Sequence, residues 1–135
     1  MEIKRVETDK KRYLDLLLLA DEQEDMVDRY LERGTMYVLE DGGVKAECVV
    51  TDEGDGILEL KNIAVAPDFQ GRGYGKAMVA FLVQTYTEQH TVLQVGTGDS
   101  SSTIPFYESC GFRRHHLVKK FFTDHYDHPI YECGV

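Results

Sequence analysis

Residues 65 to 78 read VAPDFQGRGYGKAM, and within them Gly71, Gly73 and Gly75 alternate with Arg72, Tyr74 and Lys76. Met78, Val79, Leu82, Val83 and Tyr86 follow at helical spacing, which predicts a helix beginning near Tyr74 with one buried face. The amide N–H groups of a first helical turn have no carbonyl of their own helix to bond. Placed after a glycine curl, the amides of residues 71 to 76 form a concavity for an anion, and the helix dipole, Arg72 and Lys76 add positive potential. Glycine at alternate positions keeps Cβ atoms out of that concavity and permits positive φ where the chain turns. A phosphate-bearing ligand explains this composition better than a simple turn does.

Two common phosphate motifs do not fit. A Walker loop needs glycine where Gln70 stands and Ser or Thr where Ala77 stands. A dinucleotide fingerprint needs G-x-G-x-x-G, whereas the spacing here is G-x-G-x-G. The loop also sits mid-chain, after a hairpin and not at an opening βαβ unit.

The elements that must carry the loop are legible from periodicity. MEIKRV alternates as a first strand. DKKRYLDLLLLAD reads as a helix with Asp9 as N-cap and Leu14, Leu17 and Leu18 on one side. DEQEDMVDRYLERG reads as a second helix carrying Met26, Val27, Tyr30 and Leu31 and stopped by Gly34. TMYVLE, DGG and VKAECVVTD form a hairpin, EGDG is another turn, and ILELKNIAVAP is a long strand ended by Pro67. TVLQVGTG is a strand, STIPFYESCGF a short helix and RRHHLVKKFF a further strand. The resulting class is α+β, or mixed α/β, with antiparallel strands first and one crossover helix later.

QGRGYG matches Q/R-x-x-G-x-G/A at Gln70, Gly73 and Gly75, the signature of the GNAT superfamily of acetyl-CoA-dependent N-acetyltransferases. IAVAP before the loop, LQVGTG after its helix, and Phe106, Tyr107, Gly111 and Phe112 in FYESCGF occur in the superfamily's order. The chain therefore resembles that superfamily over residues 2 to 123. VGTGDSS and FFTDHYDHPIYE further resemble a bacterial branch labelled indole-acetate-type acetyltransferase. The resemblance implies the GNAT acyl-CoA N-acyltransferase fold, a mixed and mostly antiparallel sheet flanked by helices, splayed where the strands border the cofactor loop. It implies that the main chain of Ile63, Ala64 and Val65 bonds the pantetheine arm as another strand would. It implies that Gln70, Gly71, Arg72, Gly73, Tyr74, Gly75 and Lys76 hold the pyrophosphate of acetyl-CoA. Where many relatives place an asparagine on the cofactor, this chain reads DSSS, so Asp99, Ser100 or Ser101 takes that place.

Amide formation needs a neutral amine, a held thioester carbonyl and a protonated leaving thiolate. An alkylamine with a pKa of about 10.4 leaves only one molecule in roughly 10³ neutral at pH 7, a deficit worth about 4–5 kcal/mol, so a base or a water relay is useful. Glu59, eleven positions before Gln70, stands where histone-type members of the superfamily carry their general base. Strand alternation puts Glu59, Lys61, Ile63 and Val65 on one face, where Glu59 could instead simply pair with Lys61. The resemblance gives Tyr107 the role of acid toward the cofactor sulfur; its alternative is core packing with a satisfied hydroxyl.

The remaining polar residues form weaker patterns. His125, Asp127, His128 and Glu132 match no dedicated metal spacing and read as a polar loop near the acceptor, so no metal is expected. His115 and His116 alternate to opposite strand faces, and Cys110 has no orienting base nearby. Cys48, Cys110 and Cys133 fit neither a disulfide framework nor a zinc ribbon and read as thiols of a reducing compartment.

With 135 residues the chain is read as one N-acetyltransferase domain spanning 1–135, without the final strand that its branch carries, so pairing of that open edge would make a homodimer. The net charge of −9 argues against a nucleic-acid partner, and LLLLA at 16–20 is far too short for a membrane span. A cytoplasmic enzyme is expected, acting by direct transfer on a cationic small-molecule or peptide amine. Asp21, Glu22, Glu24 and Asp25 are either a solvated helix start or an acidic rim that draws that cation in. The rival reading is a CoA-binding sensor without turnover, which would need neither Glu59 nor Tyr107.

Overall fold

A computed structural model describes residues 1–95 and the backbone of 118–120. Its strands are β1 (Glu2–Val6), β2 (Thr35–Glu40), β3 (Val44–Gly54), β4 (Ile57–Val65), β5 (Val92–Val95) and β6 (Val118–Lys120), and its helices α1 (Leu14–Ala20), α2 (Glu24–Asp28) and α3 (Tyr74–Tyr86). The strands form one mixed, mostly antiparallel sheet in the order β1-β2-β3-β4-β5-β6. β1 pairs antiparallel with β2, β2 with β3, and β5 with β6, while β4 and β5 run parallel. The parallel register covers Ile57–Leu60 against Val92–Val95, as a crossover through α3 requires. The continuation of β5, where the sequence places the splay, lies outside the described residues.

The chain divides into two compact units, one of residues 1–51 with 61–81 and one of 52–60 with 82–135. In the first, Val6, Leu17, Val27, Tyr30, Leu31, Met36, Val38 and Val49 make a buried cluster under α1 and α2. Leu14 and Leu18 pack at its margin, as their helical spacing predicts. Tyr37 meets Phe81 of α3 edge-on with ring centroids 4.8 Å apart. In the second, the turn through Asp55 and Gly56 (φ 57° and 79°) returns the chain into β4, and the Thr91 N–H donates to the Gly56 carbonyl at 2.8 Å. His90 is buried there, with Nε2 3.3 Å from Asp52 Oδ2 and its ring edge-on to Tyr86.

Two local expectations need correction. Asp9 precedes the first helical segment but adopts φ 52° and caps nothing with its side chain; a 3-10 turn over Lys10–Tyr13 intervenes before α1. The second helix ends at Asp28 and not at Gly34. Beyond it the chain follows irregular turns, with N–H of Leu31 on the Val27 carbonyl (3.0 Å) and of Gly34 on the Tyr30 carbonyl (2.8 Å). Lys10 Nζ donates to the carbonyls of Leu31 and Gly34, each at 2.8 Å, in the turns that follow. Gly34 is required for closeness: a Cβ there would lie 2.8 Å from Val49 Cγ1 and 2.9 Å from the Tyr30 carbonyl.

Candidate active site

β4 delivers two sets of residues by simple alternation. Leu58, Leu60, Asn62 and Ala64 are buried, while Glu59, Lys61, Ile63 and Val65 share the half-buried face predicted for them. Pro67 ends the strand and sets a 3-10 turn over Pro67–Phe69, because proline lacks the N–H a ladder needs. The Phe69 N–H donates to the Ala66 carbonyl at 2.9 Å, and the Ala66 N–H to the Lys45 carbonyl at 2.8 Å, which fixes where the loop leaves the sheet.

The loop takes the expected positive φ at Gly71 and Gly73, whereas Gly75 is buried within the first turn of α3. Gly71 and Gly73 hold φ of 80° and 89°, and none of the described residues lies within 4 Å of where a Cβ would stand at either. The Gly73 carbonyl accepts the Ala77 N–H at 3.0 Å, which makes Gly73 the residue before the first turn of α3. The amides of Gly73, Tyr74, Gly75 and Lys76 are therefore the ones that α3 itself cannot bond. Gln70, Gly71, Arg72, Gly73 and Lys76 are exposed, Tyr74 is half-buried and Gly75 is buried. These residues fit an anion: the space a side chain would fill is open, and the cations Arg72 and Lys76 flank it.

Four contacts hold the loop in shape. Gln70 Nε2 donates to the Val65 carbonyl at 3.1 Å, tying the loop to the end of β4. The Tyr74 hydroxyl donates to Asp41 Oδ2 at 2.7 Å, fastening the first residue of α3 to the turn between β2 and β3. That bond to a carboxylate holds the Tyr74 pKa above the usual phenol range. The Phe69 ring carries two cations, Lys45 Nζ at 3.9 Å and Arg72 Cζ at 5.2 Å from its centroid. Lys45 was not singled out by the sequence, since nothing local distinguishes a lysine that ends beside a loop twenty residues away.

In the second unit, Glu59 stands opposite Gln94 in the parallel register, and Gln94 Nε2 donates to Glu59 Oε1 at 2.7 Å. Gln94 too escaped the sequence reading; only the β4–β5 register brings it to the carboxylate. Ser100, Ser101, Asp99 and Tyr107 lie outside the described residues, as do Cys110, Cys133, His115, His116 and the group His125, Asp127, His128 and Glu132. Among the described residues, no three His, Cys, Asp or Glu side chains gather as metal ligands do.

The acidic run between α1 and α2 divides its roles. Glu24 and Asp28 both pair with Lys11, at 2.8 and 2.7 Å, on the surface. Asp21 turns inward and accepts the Tyr30 hydroxyl at 3.2 Å.

Comparison with known proteins supplies an independent line. The family model for the acetyltransferase (GNAT) domain matches residues 32–114. The uncharacterized N-acetyltransferase YvbK of Bacillus subtilis (strain 168) is 38% identical over 132 residues, covering 96% of this chain and 84% of its own. A GNAT family acetyltransferase from Elizabethkingia anophelis, crystallised with acetyl-CoA bound, is 32% identical with a TM-score of 0.76, covering 99% of this chain and 90% of that one. A Bacillus subtilis acetyltransferase in complex with CoA is 35% identical with a TM-score of 0.76, covering 98% and 90%.

Proposed function

This chain belongs to the GNAT acetyltransferase family, and on that premise we propose that it moves the acetyl group of acetyl-CoA directly to a primary amine of a cationic small molecule or peptide within one ternary complex. The observation that carries the reading is the loop at 70–76, where Gly71 and Gly73 hold positive φ with open space in front of them at the start of α3. A turn alone would not call for two bare positions flanked by Arg72 and Lys76.

On this reading the amides from Gln70 to Lys76 hold the pyrophosphate, with Ser100 or Ser101 adding a hydroxyl. The main chain of Ile63, Ala64 and Val65 holds the pantetheine arm. Gln70 contributes through its backbone, because its side-chain amide is engaged by the Val65 carbonyl. Acetyl-CoA supplies the acyl group in activated form, as a thioester. Glu59 removes a proton from the acceptor nitrogen, directly or through one water, so that its lone pair is free to attack. Gln94 orients that carboxylate by donating to one of its oxygens. Tyr107 gives a proton to the departing sulfur, which prevents return of the thiolate.

The test has two arms. Acetyl-CoA at 100 times its Kd should stabilise the protein by about 2.7 kcal/mol in a thermal-shift titration. Thiol release should then appear with members of a panel of primary amines. Absence of stabilisation overturns acyl-CoA binding altogether. Stabilisation without thiol release from any amine makes the protein a CoA-binding sensor.

A further inference from the structure

Within the unit of residues 1–51 and 61–81, one polar group has no part in holding the acyl donor. Glu47 lies on β3 opposite Val38 of β2 and two residues from Val49, so it faces the side of the sheet that Leu17, Val27, Tyr30 and Leu31 cover. It is fully buried, and among the described residues neither carboxylate oxygen has a hydrogen-bond partner. Asn62 of β4 reaches the same helical layer: its Nδ2 donates to the Leu17 carbonyl at 3.0 Å and to the Tyr30 hydroxyl at 2.9 Å. Both N–H groups of Asn62 are thus engaged, yet its Oδ1 is buried without a partner among the described residues. The Tyr30 hydroxyl continues the track to the half-buried Asp21. Burial first, and then the neighbouring Asp21, push the Tyr30 pKa up to about 12.

The three orphaned atoms, Glu47 Oε1, Glu47 Oε2 and Asn62 Oδ1, are all acceptors. A buried carboxyl without a partner avoids the cost of its charge by keeping its proton, and a cation with donors is what would let it ionise there. A primary ammonium brings one positive charge and three N–H donors.

We propose that Glu47 and Asn62 seat an ammonium group of the acceptor, with Asp21 at the outer end of the track. A carboxylate favours the charged form of an amine beside it, so the seated nitrogen stays protonated and cannot attack. It is an anchor, and the reacting nitrogen is a second one. The acceptor class is therefore a diamine or a peptide with a basic side chain. Naming the ligand as acceptor rests on the acyl-transfer reading, whereas the seat itself is open to a binding test that needs no turnover.

The experiment is a calorimetric titration of the CoA-saturated protein at neutral pH with butylamine and, separately, with butyltrimethylammonium, which has the same charge and no N–H donor. Butylamine should bind roughly 10- to 100-fold more tightly, the worth of charge-assisted hydrogen bonds. Glu47→Gln should weaken butylamine by a similar factor, with CoA stabilisation as the check on its fold. In thiol release, 1,4-diaminobutane should show a lower KM than butylamine, and Glu47→Gln should shrink that gap. Equal affinity of the native protein for the two cations overturns the proposal, and it does so even if the variant fails to fold. So does a crystal grown with butylamine in which only a water bridges Glu47 and Asn62. Failure of the CoA stabilisation would sink the donor reading instead, a separate result.

Discussion

Gln94 Nε2 lies 2.7 Å from Glu59 Oε1, and the two residues face one another across the parallel register of β4 and β5. One carboxylate oxygen is thereby fixed by an amide donor. Glu59→Gln should lower kcat/KM by about 10²-fold, the scale of a lost general base, without a change in acetyl-CoA affinity. Gln94→Ala keeps the carboxylate but frees its orientation, so its loss should be smaller and recovered in part by Gln94→Asn. Steady-state kinetics across pH, with acetyl-CoA titrations of each variant, measure both effects.

Tyr107→Phe removes one hydroxyl and little volume. If that hydroxyl protonates the leaving sulfur, kcat should fall by about tenfold or more, with acetyl-CoA binding retained. Single-turnover thiol release is the direct measurement, and unchanged turnover removes the assignment.

Gly73 separates conformational cost from ligand contact. Its φ of 89° is strained for a side chain, though a Cβ there would touch none of the described residues within 4 Å. Gly73→Ala should cost about 1 kcal/mol of stability, whereas Gly73→Asn should cost less because asparagine tolerates the left-handed region. Both should weaken acetyl-CoA, since either side chain enters the space in front of the amides. Chemical denaturation paired with ligand titration distinguishes the two effects.

Gly34 shows the opposite case, a crowded site without a ligand. A Cβ would stand 2.8 Å from Val49 Cγ1 and 2.9 and 3.0 Å from the carbonyls of Tyr30 and Val50. Gly34→Ala should destabilise by about 1–3 kcal/mol, as overpacking does, and leave acetyl-CoA affinity unaltered. Urea unfolding reads the first outcome directly.

Two acids should pull stability in opposite directions with pH. The Gly54 N–H first, and then His90, hold the Asp52 pKa below its ordinary 3.8. The stability it confers is complete above that value and is lost as pH falls through the lower folded one. Burial holds the Glu47 pKa well above its ordinary 4.5, so the native chain keeps its proton longer than the unfolded chain. Stability from that source is full below 4.5 and drains away as pH rises toward the folded value. Melting curves between about pH 3 and 8 should show a shallower acid-side fall in Asp52→Asn and a flatter course on the other side in Glu47→Gln.

The sequence by itself determined the local pieces. Alternation marked the strands and put Glu59, Lys61, Ile63 and Val65 on one face of β4, because side-chain direction in a strand depends only on position. Glycine spacing marked the loop, because positive φ excludes most other residues. Only the tertiary structure decided which side chains meet. Lys10 meets the Leu31 carbonyl from twenty-one positions away, and Lys45 reaches the Phe69 ring from another strand. Glu47 reads as an ordinary polar residue in VKAECVV until the helices close over it. Such pairings depend on register and layer packing, which couple residues far apart in the chain and leave no trace in local periodicity.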